Sequence, residues 1–175
     1  EYFDAFQMAV HADVRKGIVE EQVRPDGRKM TDIRQLSSET GFLPRAHGSS
    51  IFTRGVTQAV NIVTLAPLRY APIVDTMERD GERRYMHHYH APGWTVGEVK
   101  RLGSPGRREI GHGYLAERAL LPMLPSEADF PYAIRSVTEI MSQNGSTSMA
   151  ATCSSCLALL DAGVPLKRPV SGIAM

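Results

Sequence analysis

Residues 132–165 read YAIRSVTEIMSQNGSTSMAATCSSCLALLDAGVP. The opening YAIRSVTEIMS has the inward–outward alternation of a strand with one buried face. Asn144-Gly145 turns the chain. A helix then follows, in which Met149, Cys153, Cys156, Leu157 and Leu160 fall at helical spacing. Gly163 is placed to close it as the C′ residue, and Pro165 stops it. A strand that feeds a helix through a glycine turn belongs to a layered fold, with helices over a sheet.

The start of this helix has an unusual composition. Asn144-Gly145-Ser146-Thr147-Ser148 offers backbone N–H groups that a first turn leaves unbonded, and three hydroxyls beside them. Simple capping by Ser146 needs one hydroxyl. An anion site would use them all. Both readings stand on these residues alone.

Upstream, GRREIGHGYLAER (106–118) poses the same question. Pro105-Gly106 turns into a helix that runs to about Met123, with Pro122 and Pro125 closing it. Arg107 and Arg108 at its start oppose the macrodipole by about 0.3–1 kcal/mol each, which makes sense beside an anion; a solvated arginine pair is the plain alternative. His112 lies one turn after Arg108 on the same side. Gly111 and Gly113 each cost about 1 kcal/mol relative to alanine, and close approach of a ligand or another backbone would account for them. Ile110, Tyr114, Leu115, Ala119, Leu120 and Leu121 surround the helix, which predicts that it is largely buried.

Further out, Gly41 to Leu65 has β texture around Gly48 and Gly55, and RYMHHYH (84–90) is another candidate strand. Asp80-Gly81 is a turn signal among solvated charges; Asp4, Asp13, Asp75 and Asp80 are scattered and form no catalytic pair. RPVSGIAM (168–175) opens a last strand. The segment 1–21 reads as helix, and Pro25 and Gly27 break it at the entry to a new domain. The fold class that results is α+β, a mixed β-sheet with packed helices.

Composition bounds the function. A net charge of +1 on 175 residues excludes a bulk basic field for nucleic acid or membrane. Sixteen of the 20 basic residues are arginine, whose planar fork suits phosphate oxygens, although a GC-rich genome gives the same bias. Two cysteines, with no signal peptide or long apolar run, point to a reducing, cytoplasmic setting and no membrane span. Cys153 and Cys156 lie inside a helix among apolar residues and read as small buried hydrophobes rather than a redox motif. His87, His88 and His90 lack the further ligands zinc requires. They read as strand histidines facing a polar cleft, and no metal ligands are assigned.

The phrases RPDGR (24–28), LPRAHGSSIFTRG (43–55), VGEV (96–99), GRREIGHGYLAERAL (106–120), FPYAIR (130–135) and NGSTSMA (144–150) with LALLDAGVP (157–165) resemble the polynucleotide phosphorylase family. The resemblance is to its second RNase PH-like core and covers residues 24–175. Residues 1–23 resemble the tail of the all-helical segment that joins the family's two cores. The resemblance implies 3′-to-5′ phosphorolysis of single-stranded RNA by inorganic phosphate, release of nucleoside diphosphates, the reverse polymerisation, Mg²⁺, and a homotrimeric ring. It places phosphate at Ser146, Thr147 and Ser148, and the RNA and catalytic groups at Arg107, Arg108 and His112.

Some positions depart from the family. Val56 stands where a polar residue is usual, His90 where Asn is usual, Ala91-Pro92-Gly93-Trp94 for an aromatic-Pro-Pro-aromatic run, Thr147 for Ser, and Ser154-Ser155 for two glycines. The family's metal-binding acidic residues are expected beyond Met175, so the chain reads as an internal piece of a longer enzyme, inactive when isolated. The alternative is a non-catalytic RNase PH-like ring subunit that binds RNA and scaffolds an exosome-like assembly.

Overall fold

A computed structural model describes residues 1–75, 80–101 and 103–174, without the side chains of Asp75 and Asp80. The chain falls into two units, Glu1–Arg34 and Gln35–Met175.

In the first unit, α1 (Tyr2–Lys16) runs on into a π turn, Gly17–Glu21. Gln22 ends it in the left-handed region at φ 56°, and its side-chain amide donates back to the Val19 carbonyl at 2.9 Å. α1 has no buried residue. The RPDGR stretch is a turn, with Gly27 at φ 81° and the Arg28 Nε donating to Asp26 at 2.7 Å.

The second unit is built on a five-stranded sheet in the order β1-β2-β3-β7-β6. The strands are β1 (Leu36–Thr40), β2 (Gly48–Arg54), β3 (Thr57–Pro67), β6 (Tyr85–His90) and β7 (Tyr132–Ser142). β6 and β7 are parallel and the other pairs antiparallel, so the sheet is mixed. β4 (Ile73–Asp75) and β5 (Asp80–Glu82) form a separate hairpin. Asp80-Gly81 therefore lies in a strand rather than at the turn; residues 76–79 and the side chains of Asp75 and Asp80 lie outside the described residues.

Two helices, α2 (Arg107–Leu120) and α3 (Thr147–Asp161), cover one face of the sheet. Their approach is close enough to need glycine. A Cβ on Gly113 would sit 3.0 Å from the His87 carbonyl of β6, and one on Gly48 would sit 2.3 Å from the Ala158 carbonyl of α3. Close backbone approach thus accounts for Gly113. It does not account for Gly111, which has nothing within 4 Å.

α3 ends as its sequence predicts. Gly163, at φ 75°, donates to the Leu160 carbonyl and Val164 to the Leu159 carbonyl, each at 3.0 Å, and Val164 and Leu159 are buried in the same cluster. This is a Schellman motif with its hydrophobic contact.

The core has an apolar–polar–apolar order. One cluster holds Val63, Tyr85, Leu120, Ile134 and Leu159; the other holds Ala59, Tyr89, Ile140, Ala150 and Ala151. Between them lie Asn61, His87, Ser136, Thr138 and Ser155, all buried. Asn61 Nδ2 donates to Thr138 at 2.7 Å and Ser155 at 2.9 Å, and Ser136 donates to Asn61 Oδ1 at 3.0 Å. His87 Nε2 lies 2.7 Å from Ser155 Oγ and 3.1 Å from Thr138 Oγ1. Burial, with His88 adding a smaller effect, lowers the His87 pKa to about 4, so its ring is neutral at pH 7. His87 is thus a core residue of the helix-covered face rather than a residue facing a cleft.

Two further expectations need correction. α2 is not buried all round: Gly113, Ala116, Glu117 and Leu120 face inward, while Ile110, Tyr114, Leu115 and Leu121 are exposed. The buried face of α3 runs through Ala150, Ala151, Ser154, Ser155, Cys156, Ala158 and Leu159, while Leu160 is exposed. Residues 168–174 form no strand. Their backbone is held by sulfur: Val170 N–H donates to Cys156 Sγ at 3.2 Å and Gly172 N–H to Cys153 Sγ at 3.3 Å. Burial raises the pKa of Cys156, which keeps it a thiol. Met175 lies outside the described residues.

Candidate active site

The site is built from the N-termini of α2 and α3. Gly106 caps α2 in extended conformation, and its carbonyl accepts the Ile110 N–H at 3.1 Å. Glu109, two residues after Arg107, folds back over Gly106, with Oε2 2.8 Å from the position a Cβ would take. This acid in the first turn offsets the unfavourable placement of two arginines against the macrodipole. Arg107 and Arg108 are exposed at the first two positions of the helix.

The start of α3 is a left-handed turn. Gly145 has φ 77° and Ser146 φ 51°. A non-glycine residue in this region is strained by about 1–3 kcal/mol unless its surroundings fix it. Arg54, at the end of β2, supplies that restraint: its guanidinium donates to the carbonyls of Gly145 at 2.9 Å and Ser146 at 3.1 Å. The Asn144 N–H also donates to Thr57 Oγ1 at 3.0 Å. Ser146 makes no side-chain cap. The N–H groups of Thr147, Ser148 and Met149 precede the first intrahelical bond, from Ala150 to the Ser146 carbonyl. Ser146 is exposed, Ser148 half-buried and Thr147 buried.

Tyr89 of β6 bridges the two helix starts. Its hydroxyl donates to Thr147 Oγ1 at 2.6 Å, and its ring packs at 5.0 Å between centroids on His112 of α2. Burial first, then the positive charge of Arg108, lowers the His112 pKa. Burial raises that of Tyr89, against smaller opposing effects of its Thr147 hydrogen bond and Arg108. The imidazole is neutral at pH 7, its Nδ1 buried without a partner. Arg108 thus acts electrostatically on both rings of the bridge.

The Thr147 hydroxyl is buried and accepts from Tyr89, so the exposed or half-buried hydroxyls of this turn are those of Ser146 and Ser148. Arg54 and Tyr89 were not singled out from sequence as site residues. Tyr89 had a signal, since it falls in register with buried Tyr85 and His87 along β6. Arg54 had none, because its partners lie about ninety residues away.

His88 and His90 lie on the opposite face of β6 from His87. His88 Nδ1 accepts from Arg135 Nε at 3.2 Å, and His90 Nδ1 pairs with Glu139 at 2.6 Å. Among the described residues no group of three or more His, Cys, Asp or Glu could hold a metal ion. Mg²⁺ is bound through oxygen, usually with one or two carboxylates. The helix starts offer hydroxyls, amides and guanidiniums, with Glu109 turned back on its own helix; this set does not fit Mg²⁺. No helix among the described residues is long and apolar enough to cross a membrane.

A mixed sheet under two helices whose N-termini converge defines an RNase PH-like domain. Residues 32–165 match the family model described as 3′ exoribonuclease family, domain 1, and the chain belongs to that family. It is similar to the polyribonucleotide nucleotidyltransferase of Exiguobacterium sibiricum, 57% identical over 95% of this chain and 22% of that protein. The enzyme of that name from Clostridioides difficile is 57% identical over 97% of this chain and 24% of its own length. The chain thus spans about a quarter of the length of these curated relatives. Among solved structures, rice (Oryza sativa) Rrp46 matches with a TM-score of 0.61 at 26% identity, covering 83% of this chain and 64% of that one.

Proposed function

We propose that this chain carries the phosphate- and RNA-binding groups of a phosphorolytic exoribonuclease. As part of a longer polyribonucleotide nucleotidyltransferase it would shorten single-stranded RNA from the 3′ end, release nucleoside diphosphates, and run in reverse as a polymerase. The observation that supports this reading is the Tyr89 bridge, which joins an α3 start rich in free N–H and O–H donors to the helix of Arg108 and His112. Ser146 and Ser148 offer hydroxyls and Thr147 its N–H to inorganic phosphate. Arg107 and Arg108 neutralise the terminal phosphodiester of the RNA, and neutral His112 lies beside it. Phosphoryl transfer needs mainly positioning and charge stabilisation, which these groups supply.

Mg²⁺ is proposed as a cofactor of the whole enzyme, with no step assigned to it here. A homotrimer is proposed for the whole enzyme, with residues 1–23 as the end of a helical linker and 24–175 as the second RNase PH-like core.

The test is diphosphate release from a short single-stranded RNA by the parent protein. Ser148→Ala should weaken phosphate use, and Arg107→Ala or Arg108→Ala should slow RNA turnover. Each lost charge-assisted hydrogen bond should cost about 1.5–3 kcal/mol. Wild-type rates in all three variants would overturn the site assignment. RNA binding without any diphosphate release by the unaltered parent would favour the scaffolding ring subunit instead.

A further inference from the structure

A groove of about 470 Å³ runs from the end of β6 to the start of α2. Its wall carries Trp94, the only tryptophan in the sequence, 55% exposed. Lys100 and Arg101 also line it, as do His90 and the carboxylates Glu139 and Glu109, and it reaches Gly106, the residue that precedes α2.

An exposed tryptophan is usually free to move, but this one is mounted on a fixed turn. Trp94 lies in a 3₁₀ turn, Gly93–Val96, that ends at left-handed Gly97, φ 73°. Glu98 N–H donates to the Gly93 carbonyl at 3.0 Å. Gln143, at the end of β7, holds the turn twice: its N–H donates to the Thr95 carbonyl at 3.2 Å and its side chain to Thr95 Oγ1 at 2.5 Å. Lys100 is seated against Gly93, where a Cβ would meet its own Cβ at 2.9 Å. An aromatic face on a held turn, flanked by the cations Lys100 and Arg101, matches what a nucleotide offers: a flat base on one side and a phosphate on the other.

We propose that this groove is a subsite for one nucleoside unit of the RNA strand, its base stacked on Trp94 and its phosphates directed toward Lys100 and Arg101. The His90–Glu139 pair at the groove offers a donor and acceptor edge to that base. This rests on the phosphorolytic reading above for its choice of RNA as the ligand.

The experiment uses the fluorescence of Trp94, which has no other tryptophan to obscure it in this chain. Short oligoadenylate should quench it saturably, ADP should quench it more weakly, and inorganic phosphate should leave it unchanged. Trp94→Ala should raise the dissociation constant for oligoadenylate, measured by anisotropy of a labelled RNA, by roughly 5- to 150-fold, and Trp94→Phe should restore most of it. Thermal unfolding should be unchanged in both, since the side chain is exposed. Unquenched emission with saturating RNA, or a Trp94→Ala variant that binds RNA as tightly as wild type, would overturn the proposal. Quenching by ADP as strong as by oligoadenylate would also overturn the RNA-strand assignment. Failure of the Ser148 and Arg107 variants to alter phosphorolysis would sink the catalytic reading while leaving the Trp94 result to stand or fall by itself.

Discussion

Acid should destabilise this protein in large part through His87. His87 is buried between two apolar clusters, and its pKa is lowered to about 4 from an ordinary 6.5. Between those values the unfolded chain binds a proton that the folded chain refuses, so stability is fully present above pH 6.5 and falls as pH drops toward 4. Each unit is worth about 1.4 kcal/mol, so the loss from this group is about 3 kcal/mol. That is a large part of a typical stability of about 5–15 kcal/mol. Urea unfolding followed by circular dichroism at pH 7, 5.5 and 4 measures it. His87→Gln removes the titrating ring but keeps a polar end near Ser155. Carboxylates titrate in both proteins, so the informative quantity is the gap between wild type and variant. It should shrink by about 3 kcal/mol on going from pH 7 to pH 4. A gap that stays constant across this range would refute the assignment of His87 as the buried neutral group.

Ser155→Ala should cost about 1–3 kcal/mol, since it strips partners from buried Asn61 and His87; thermal melts will show it. Gly48→Ala should destabilise severely, by about 3 kcal/mol or more, because its Cβ would lie 2.3 Å from a backbone oxygen that cannot move. Gly111→Ala should instead stabilise by up to about 1 kcal/mol, as nothing lies within 4 Å; equilibrium unfolding of the pair checks both signs. Tyr89→Phe should cost about 1 kcal/mol of stability and raise the KM for phosphate in the parent enzyme by loosening Thr147. Elemental analysis of chelator-free protein should find no stoichiometric zinc, since His87 points away from His88 and His90.

What the sequence determined by itself was local. The starts of α2 and α3, the limits of β7, the closing role of Gly163 and the strand at 85–90 follow from capping, turn residues and short-range alternation, which act within a few residues. β1 has no sequence signal, because LSSET carries a single apolar residue and so shows no apolar alternation; its strand is exposed throughout. The candidate site was legible as two separate helix starts, each with its own anion-binding residues. Only the tertiary structure decided that Tyr89 would join them, that Arg54 would hold the Ser146 turn, and that α2 would leave Ile110 and Tyr114 uncovered. It also decided the polar stripe: register places Asn61 opposite Thr138 and His87 opposite Ser136, and α3 brings Ser155 over them. The segment after Pro169 reads like a strand but lies along the sulfur atoms of Cys153 and Cys156. Each of these outcomes depends on partners far away in the chain, whose identity no local pattern encodes.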